Sequence, residues 1–140
     1  MSSEYLLEIL TPAKEVFSAE VSEVVLPAYD GERGILADHE DLVGLLGTGP
    51  VKIVKGGDDY WFMVSSGVFE VKGGSVVVYA ELAEIAGEFD SGSAQEGISA
   101  FEKVFGSPET YDPETYPAAK LEYDRNRARL EIHRRTDLVN

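Results

Sequence analysis

The chain has 140 residues, of which 44% are hydrophobic and 27% are charged, a composition typical of a folded domain. Its formal net charge of −14 argues against nucleic acid and anionic lipid as partners, because both attract positively charged proteins. The chain has no cysteine, which excludes disulfides and thiolate metal sites, and we expect neither a metal nor a cofactor.

Residues 4–86 have the pattern of short β-strands separated by glycine and proline. In the first predicted strand, Tyr5, Leu7 and Ile9 alternate with residues of a second face. Many short strands with close turns indicate an antiparallel sandwich or barrel.

Glycine and polar residues mark the turns between these strands. The polar residues 28–34 predict a loop, and residues 56–59 predict a four-residue hairpin loop. Residues 60–64 and 68–71 are predicted to be separate strands, and a further hairpin turn is predicted at residues 72–74.

The apolar period becomes helical near Phe89. Asp90 is a suitable N-cap for a first helix. The apolar residues that follow at helical spacing are Ala94, Ile98, Phe101 and Phe105.

A loop and a second helix are predicted next. Residues 107–117 contain three prolines, which exclude one continuous helix, and Pro-Glu-Thr-Tyr occurs there twice. We assign no chemistry to this repeat. The second helix is predicted from Ala118 to about Thr136. Its main apolar stripe consists of Leu121, Ala128 and Ile132.

These patterns predict an α+β fold, with an N-terminal antiparallel β-sandwich followed by a C-terminal two-helix hairpin. We expect the sandwich domain to occupy residues 1–87 and the helix–loop–helix appendage to occupy residues 88–140. No apolar run approaches the roughly 18 residues of a membrane helix, and the first eight residues lack a signal pattern. We therefore expect a reducing, cytoplasmic compartment and no direct membrane insertion.

Several segments, in this order, resemble one known family. They are TP at 11–12, VFSAEV at 16–21, VVLP at 24–27, GERGIL at 31–36, His39 with Leu42, SGVFEV at 66–71, VVVYAE at 76–81 and ARL at 128–130. Together they resemble the epsilon subunits of bacterial F-type ATP synthases over essentially the whole chain. The resemblance implies about ten strands in two sheets, then two helices, in a non-catalytic rotor part.

The resemblance also implies partners and a location. The sandwich of this family packs on the gamma subunit and on the ring of membrane-embedded c subunits, in the central stalk. Its helical arm extends along gamma towards the alpha and beta subunits and blocks ATP hydrolysis. The implied location is peripheral, on the cytoplasmic face of the inner membrane.

Four residues of the predicted 28–34 loop are candidate c-ring contacts: Asp30, Gly31, Glu32 and Arg33. From the residues alone, a solvated turn is the simpler interpretation. The resemblance implies instead that this acidic loop faces the c-ring, with Glu32 as its main contact. It also places His39 and Leu42 at the gamma subunit.

The second predicted helix is locally basic in an acidic protein. Its candidate regulatory residues are Arg125, Arg127, Arg129, Arg134 and Arg135. By helical spacing, Arg125 and Arg129 share one side, and Arg127 and Arg134 share another. One interpretation is a solvated helix with intrahelical ion pairs, and the other is an arm that docks on acidic surfaces. The resemblance implies that acidic segments of beta and gamma are such surfaces.

Residues 89–94 stand where some members of the family have an ATP-binding motif, Ile/Leu-Asp-x-x-Arg-Ala. Asp90 and Ala94 match this motif, whereas Ser93 replaces the arginine that suits phosphate. A capped helix start is the preferred interpretation. Asp90 with Arg125 is the remaining nucleotide-binding hypothesis, and we expect ATP to bind weakly, if at all.

No catalytic motif is present: the sequence has no phosphate-binding loop, serine–histidine elbow or zinc signature. We therefore expect no catalytic residues and no enzyme activity in this chain itself. A hypothesis from another class is a stand-alone β-sandwich that binds a small ligand or a peptide.

Overall fold

The computed structural model describes residues 3–137. Within this range, eight β-strands precede two α-helices. The strands are β1 (Tyr5–Leu10), β2 (Glu15–Val21), β3 (Glu23–Ala28), β4 (Gly31–Leu36), β5 (Leu42–Leu46), β6 (Gly49–Lys55), β7 (Asp58–Lys72) and β8 (Ser75–Ile85), and the helices are α1 (Ser91–Phe105) and α2 (Tyr116–Asp137). The predicted α+β fold, a sandwich followed by a two-helix hairpin, is confirmed.

The two layers of the sandwich share the β7–β8 hairpin. One layer has the order β2–β1–β8–β7–β5, and the other has the order β4–β3–β6–β7–β8. Residues 58–64 of β7 pair with β6, whereas residues 67–71 pair with β5. The described strands number eight rather than about ten. Strands β7 and β8 each run through both layers, with one segment in each layer, so each takes the place of two shorter strands. All pairs are antiparallel except β1 with β8.

Strand β7 changes layer at Ser66 and Gly67. Ser66 has a φ of 54°, and Gly67 lies so close to β8 that a Cβ would be 1.8 Å from the carbonyl oxygen of Tyr79. Glycine is therefore required at residue 67. The prediction of two separate strands here was wrong, because Ser-Gly has the sequence pattern of a turn but forms a bend within one strand.

The core lies between the two layers, and every strand contributes to it. Tyr5, Leu7 and Ile9 are buried and Leu6 is exposed, which confirms the predicted alternation in β1. The Tyr5 hydroxyl donates a 2.6 Å hydrogen bond to the carbonyl oxygen of Ile35, joining β1 to the opposite layer. Burial raises the pKa of Tyr5, so the hydroxyl keeps the proton that it donates.

Two predicted loops are tight turns in the structure. Strands β3 and β4 pair as far as Ala28 and Gly31, so that only Tyr29 and Asp30 connect them. The β6–β7 turn is Gly56-Gly57, with positive φ at both residues as a two-residue hairpin requires. The longer loop predictions were wrong because polar side chains on hairpin tips face solvent while the backbone pairing continues.

Helix α1 begins where the sequence predicts. The Asp90 carboxylate accepts hydrogen bonds from the Ser93 hydroxyl and from the backbone N–H groups of Gly92 and Ser93, and these bonds lower the pKa of Asp90. Helix α2 begins at Tyr116, with Pro117 in its first turn as predicted. Of the helices between residues 3 and 137, neither is both long and apolar enough to cross a membrane.

Candidate functional site

Three surface features distinguish this chain: an exposed apolar sheet face, an acidic hairpin tip, and a helical arm docked on the sandwich. No group of three or more histidine or carboxylate side chains within residues 3–137 could hold a metal ion. These three surface features are the candidate functional sites.

The apolar face, here called the outer face, lies on the β5–β7–β8 layer. It consists of Val43, Leu45, Val68 and Tyr79 on these strands, together with Tyr29 of the adjoining β3–β4 turn. Strand register places Leu45 beside Val68 and Val68 beside Tyr79, and the backbone N–H of Tyr29 bonds to the carbonyl oxygen of Leu45. Tyr29 is 81% exposed, Val43 69% and Leu45 60%. Exposed apolar side chains that share one face of a sheet, with Glu70 opposite Val43 at the border, are a candidate contact surface for another protein.

The two predicted gamma contacts are not among the outer-face residues: Leu42 begins β5 next to Val43, and His39 lies in the connection between β4 and β5. Leu42 is half-buried and packs against the core, and the Nδ1 atom of His39 lies 2.8 Å from the carbonyl oxygen of Glu40. Sequence reasoning missed Val43 and Leu45, which alternate with the inward-facing residues of β5. Residues 42–46 carry no polar side chain on either face of the strand, and such an apolar run in an antiparallel sheet with one solvent-facing side is the signal that could have identified them.

The predicted c-ring contacts lie together at the tip of the β3–β4 hairpin, here called the acidic tip. Asp30 is in the turn, and Gly31, Glu32 and Arg33 begin β4. The tip is therefore held by strand pairing and is not a free loop. Glu32 is largely exposed, and its Oε1 atom lies 3.8 Å from the Nη2 atom of Arg135 at the end of α2.

The arm docks through an apolar contact in the C-terminal half of α2. Ala128 and Ile132 are buried against Met63 of β7. Partly buried apolar residues pack around them, namely Trp61, Leu82, Ala86 and Phe89. This confirms Ala128 and Ile132 as the docking stripe of the helix, whereas Leu121 is only half-buried.

Arg129 joins the arm to the sandwich by a bidentate ion pair, here called the docking pair. Its Nε and Nη2 atoms donate hydrogen bonds of 2.8 and 3.0 Å to the carboxylate of Glu84 in β8. The Nη1 atom donates to Glu122 at 2.9 Å and to Asn126 at 2.7 Å. The hydrogen bonds to Glu84 raise the pKa of Arg129 despite its burial. Only 12% of the Arg129 side chain and 23% of that of Glu84 are exposed, so water screens the pair weakly.

Arg125 makes a second polar contact with the sandwich. Its Nε atom donates a 2.9 Å hydrogen bond to the hydroxyl of Ser65 in β7. Ser65 is fully buried, and its hydroxyl also lies 3.1 Å from that of Thr48. Arg125 therefore satisfies a buried polar group, as a buried hydroxyl requires.

The other three arginines lie at the edge or on the outside of α2. Arg135 bonds to Glu131 at 2.8 Å and lies over the ring of Trp61, with 5.6 Å to its centroid. Arg134 pairs with Glu131, and Arg127 lies over the ring of Tyr123. The predicted sharing of one side by Arg125 and Arg129 is thus confirmed, and that side faces the sandwich.

The hypothetical nucleotide pair has other partners in this structure. Asp90 caps α1, and Arg125 is bonded to Ser65 and Glu122. A nucleotide site at these two residues stays a prediction.

Comparison with known proteins identifies similar chains. The family model described as the ATP synthase delta/epsilon chain, beta-sandwich domain, matches residues 4–86. The ATP synthase epsilon chain of Desulforamulus reducens is 43% identical over 90 residues, covering 64% of this chain and 68% of that one. The epsilon chain of Dichelobacter nodosus is 34% identical over 110 residues, covering 78% and 77%.

Two solved assemblies contain chains with a similar fold. A chain of the Euglena gracilis mitochondrial ATP synthase, solved as OSCP/F1/c-ring, has a TM-score of 0.82 at 20% identity, covering 95% of this chain and 82% of that one. A chain of the Tetrahymena thermophila mitochondrial ATP synthase, solved as central stalk and c-ring, has a TM-score of 0.59 at 20% identity, covering 91% and 94%. At this level of identity, the likeness is one of fold.

Proposed function

The chain belongs to the ATP synthase delta/epsilon chain family, and on that premise we propose that its sandwich couples rotor subunits and its helical arm regulates ATP hydrolysis. The observation that carries the proposal is the exposed outer face beside the acidic tip, both within the residues that the family model matches. The chain itself is a non-catalytic part whose partners bind the nucleotide.

We place the gamma subunit on the outer face, and we propose that this contact continues through Leu42 to His39 in the connection between β4 and β5. The centre of this face is apolar and its residues are held by paired strands, as the core of a stable protein interface requires. Similar chains come from assemblies described as F1/c-ring and as central stalk and c-ring, which supports a rotor position. We propose a peripheral location on the cytoplasmic face of the inner membrane.

Co-purification tests this assignment directly. A tagged full-length chain, expressed in its native host, should recover the alpha, beta and gamma chains and the c-ring from detergent-solubilised membranes. Recovery of a small molecule or peptide without those chains would contradict the proposal and favour a stand-alone binding module.

The acidic tip is the proposed c-ring contact, and charge reversal tests it. Glu32→Lys should weaken coupling, measured as ATP-driven proton pumping in membrane vesicles. The substitution should change the free energy of unfolding by less than about 0.5 kcal/mol, because Glu32 is largely exposed.

Asp58→Lys is a matched control, since Asp58 is an exposed acid next to the β6–β7 turn. Arg135→Ala controls for the contact between Glu32 and the arm. If the Glu32→Lys chain pumps protons at the parent rate, the tip is not a coupling contact. The same follows if Glu32→Lys and Arg135→Ala reduce pumping equally, because the loss would then come from the contact between Glu32 and the arm.

We propose that residues 1–87 fold independently and that residues 88–140 are an appendage; residues 1–2 and 138–140 of these ranges lie outside the described part. A chain ending at Gly87 should keep its β-sheet circular dichroism and still assemble with gamma, because the main core lies between the strands. Uncovering Met63 should cost about 1.5–3 kcal/mol of stability. An unfolded or non-assembling truncated chain would show that the helices belong to the fold.

The arm is the proposed regulatory element, with two states. In the state described here, α2 is docked on the sandwich through Met63, Glu84 and Ser65. In the other, the same face of α2 is released and contacts acidic surfaces of the gamma and beta subunits, where it inhibits hydrolysis. The docked and released states of the arm act as a switch when their free energies differ by only a few kcal/mol, because binding of a partner then moves the arm from one state to the other.

A further inference from the structure

The acidic tip contains the dipeptide Asp30-Gly31, the only place in the sequence where glycine follows an aspartate or an asparagine. An aspartate side chain is short enough for its carboxyl carbon to reach the backbone nitrogen of the next residue. A following residue with a Cβ crowds this approach, whereas glycine leaves it open and lets the backbone turn towards the carboxyl group. Asp-Gly is therefore the aspartyl sequence in which these two atoms react most readily.

The structure leaves both residues of this dipeptide accessible. Asp30 and Gly31 are exposed, and Tyr29, which precedes them, is 81% exposed. Gly31 has a φ of 128°, and a Cβ placed on it would have no atom within 4 Å. Among residues 3–137, the Asp30 carboxylate has no hydrogen-bond or ion-pair partner that would hold it away from the backbone. The side chain is therefore free to rotate towards the nitrogen of Gly31.

The backbone pairing at the tip is the end of a strand ladder. Ala28 and Gly31 are the last pair between β3 and β4, and β4 is an edge strand that pairs only with β3 in the described part of the chain. The end of such a hairpin opens with much less free energy than global unfolding requires. The nitrogen of Gly31 is thus released from the pairing while the core stays folded.

A second aspartate provides an internal comparison. Asp90 is also exposed and is also followed by a small residue, Ser91. Its carboxylate, however, accepts three hydrogen bonds, from the Ser93 hydroxyl and from the backbone N–H groups of Gly92 and Ser93. Reaction at Asp90 would break these bonds and remove the N-cap of α1, so the structure favours reaction at Asp30.

We propose that Asp30, and not Asp90, converts spontaneously to isoaspartate, which makes the acidic tip a site of covalent modification. The backbone nitrogen of Gly31 attacks the side-chain carboxyl carbon of Asp30. The new N–Cγ bond closes a succinimide ring, and the carboxyl hydroxyl leaves with the amide proton as water. A second water then adds to the backbone carbonyl carbon of Asp30. The bond from that carbon to the nitrogen breaks, and the nitrogen takes up a proton.

The product has the same mass and formal charge but a different backbone. The chain now runs through the β-carbon and the side-chain carbonyl of Asp30, which lengthens it by one methylene, and the free carboxylate stands on the α-carbon. The present pairing of Ala28 with Gly31 is lost, and Glu32, the next residue, is displaced with it. The reaction needs no partner subunit, so it goes beyond the proposed function.

Peptide mapping of the isolated full-length chain tests the proposal. After incubation for several weeks at neutral pH and physiological temperature, trypsin releases residues 15–33 and 73–103, which contain Asp30 and Asp90 as their only aspartates. The 15–33 peptide should give a second species of equal mass and different chromatographic retention, preceded by a species lighter by one water. An L-isoaspartyl carboxyl methyltransferase with labelled S-adenosylmethionine should methylate the second species and not the original peptide.

The comparison peptide and a conservative variant complete this test. The 73–103 peptide should remain one species in the folded chain and should isomerise in a chain incubated in urea, where the cap of α1 is lost. Asp30→Glu should abolish the second species of the 15–33 peptide, because the ring that glutamate forms is larger and closes far more slowly.

Two results would overturn the proposal. In one, the 15–33 peptide stays single and unmethylated in the folded chain but isomerises in urea, which would show that the hairpin protects Asp30. In the other, Asp30 and Asp90 isomerise equally in the folded chain, which would show that the exposed tip does not select the site.

The reassembled enzyme separates isomerisation from the coupling role of the tip. Enzyme rebuilt with the incubated chain should pump protons more slowly than enzyme rebuilt with fresh chain, whereas incubated and fresh Asp30→Glu chains should pump alike. If incubated and fresh parent chains pump alike although the 15–33 peptide is isomerised, the coupling role fails and the isomerisation stands. If that peptide is unmodified, the isomerisation fails, whatever Glu32→Lys does to pumping.

Discussion

Glu84→Gln and Arg129→Ala should each detach the arm from the sandwich of the isolated chain. Arg129 makes two hydrogen bonds to Glu84, and removing the charge of either residue leaves the other poorly paired in a weakly hydrated site. We expect a loss of about 2–3 kcal/mol of docking free energy, because hydrogen bonds to charged groups contribute about 1.5–3 kcal/mol. This corresponds to a roughly 30- to 150-fold shift of the docking equilibrium.

The shift can be followed through Trp61, whose emission should move to longer wavelength as Ala128 and Ile132 leave it. Arg134→Ala is the matched control, since Arg134 is an exposed arginine of the same helix that pairs with Glu131. If both docking-pair variants emit at the same wavelength as the Arg134→Ala variant, the apolar contact alone holds the arm on the sandwich.

The same two variants should differ in the assembled enzyme. Glu84→Gln weakens only the docked state, so the released and inhibitory arm should become more populated and ATP hydrolysis should fall. Arg129→Ala also removes a contact that the released arm offers to an acidic partner, so its hydrolysis rate should lie above that of Glu84→Gln. A rise in hydrolysis for Glu84→Gln would mean that the docked arm, and not the released one, is inhibitory.

Leu45→Asp should abolish binding of the gamma subunit while leaving the sandwich folded. Leu45 lies in the middle of the outer face between Tyr29 and Val68, where a carboxylate would be dehydrated without a partner. Loss of a central contact residue costs about 2–4 kcal/mol, roughly a 30- to 1,000-fold loss of affinity. The free energy of unfolding should change by less than about 0.5 kcal/mol, because Leu45 is 60% exposed.

Val104→Asp provides a control for this experiment. Val104 is also an exposed aliphatic residue, but it lies on α1 and not on the sandwich. Recovery of gamma from membranes by tagged chains would measure both variants. If Leu45→Asp recovers gamma normally, or if Val104→Asp loses it to the same extent, the outer face is not the specific gamma contact.

Local patterns were sufficient to predict the type and order of the elements. The alternation of Tyr5, Leu7 and Ile9 predicted the buried face of β1, and Asp90 predicted the start of α1. These predictions succeeded because strand alternation and helix capping depend on residues within a few positions of each other. The spacing of Arg125 and Arg129 predicted their shared side for the same reason.

The remaining features depend on contacts between residues that lie far apart in the sequence. The partners of Arg129 and Arg125, Glu84 and Ser65, lie 45 and 60 residues away in sequence, and no local pattern connects residues so far apart. The passage of β7 and β8 through both layers is likewise set by which strands each segment meets.

The sequence by itself therefore determined a β-sandwich followed by a helix pair with a basic face, and the family to which they belong. Only the tertiary structure decided which arginines of α2 bond to the sandwich, namely Arg125 and Arg129. It also showed that Val43 and Leu45 face solvent, because burial depends on which layer covers a strand. The two tyrosines of the Pro-Glu-Thr-Tyr repeat, Tyr111 and Tyr116, pack on Phe105 only because the turn between the helices brings them beside it. The chemistry of each side chain can be read directly from the sequence, whereas contacts between residues far apart in the sequence depend on how whole strands and helices pack together.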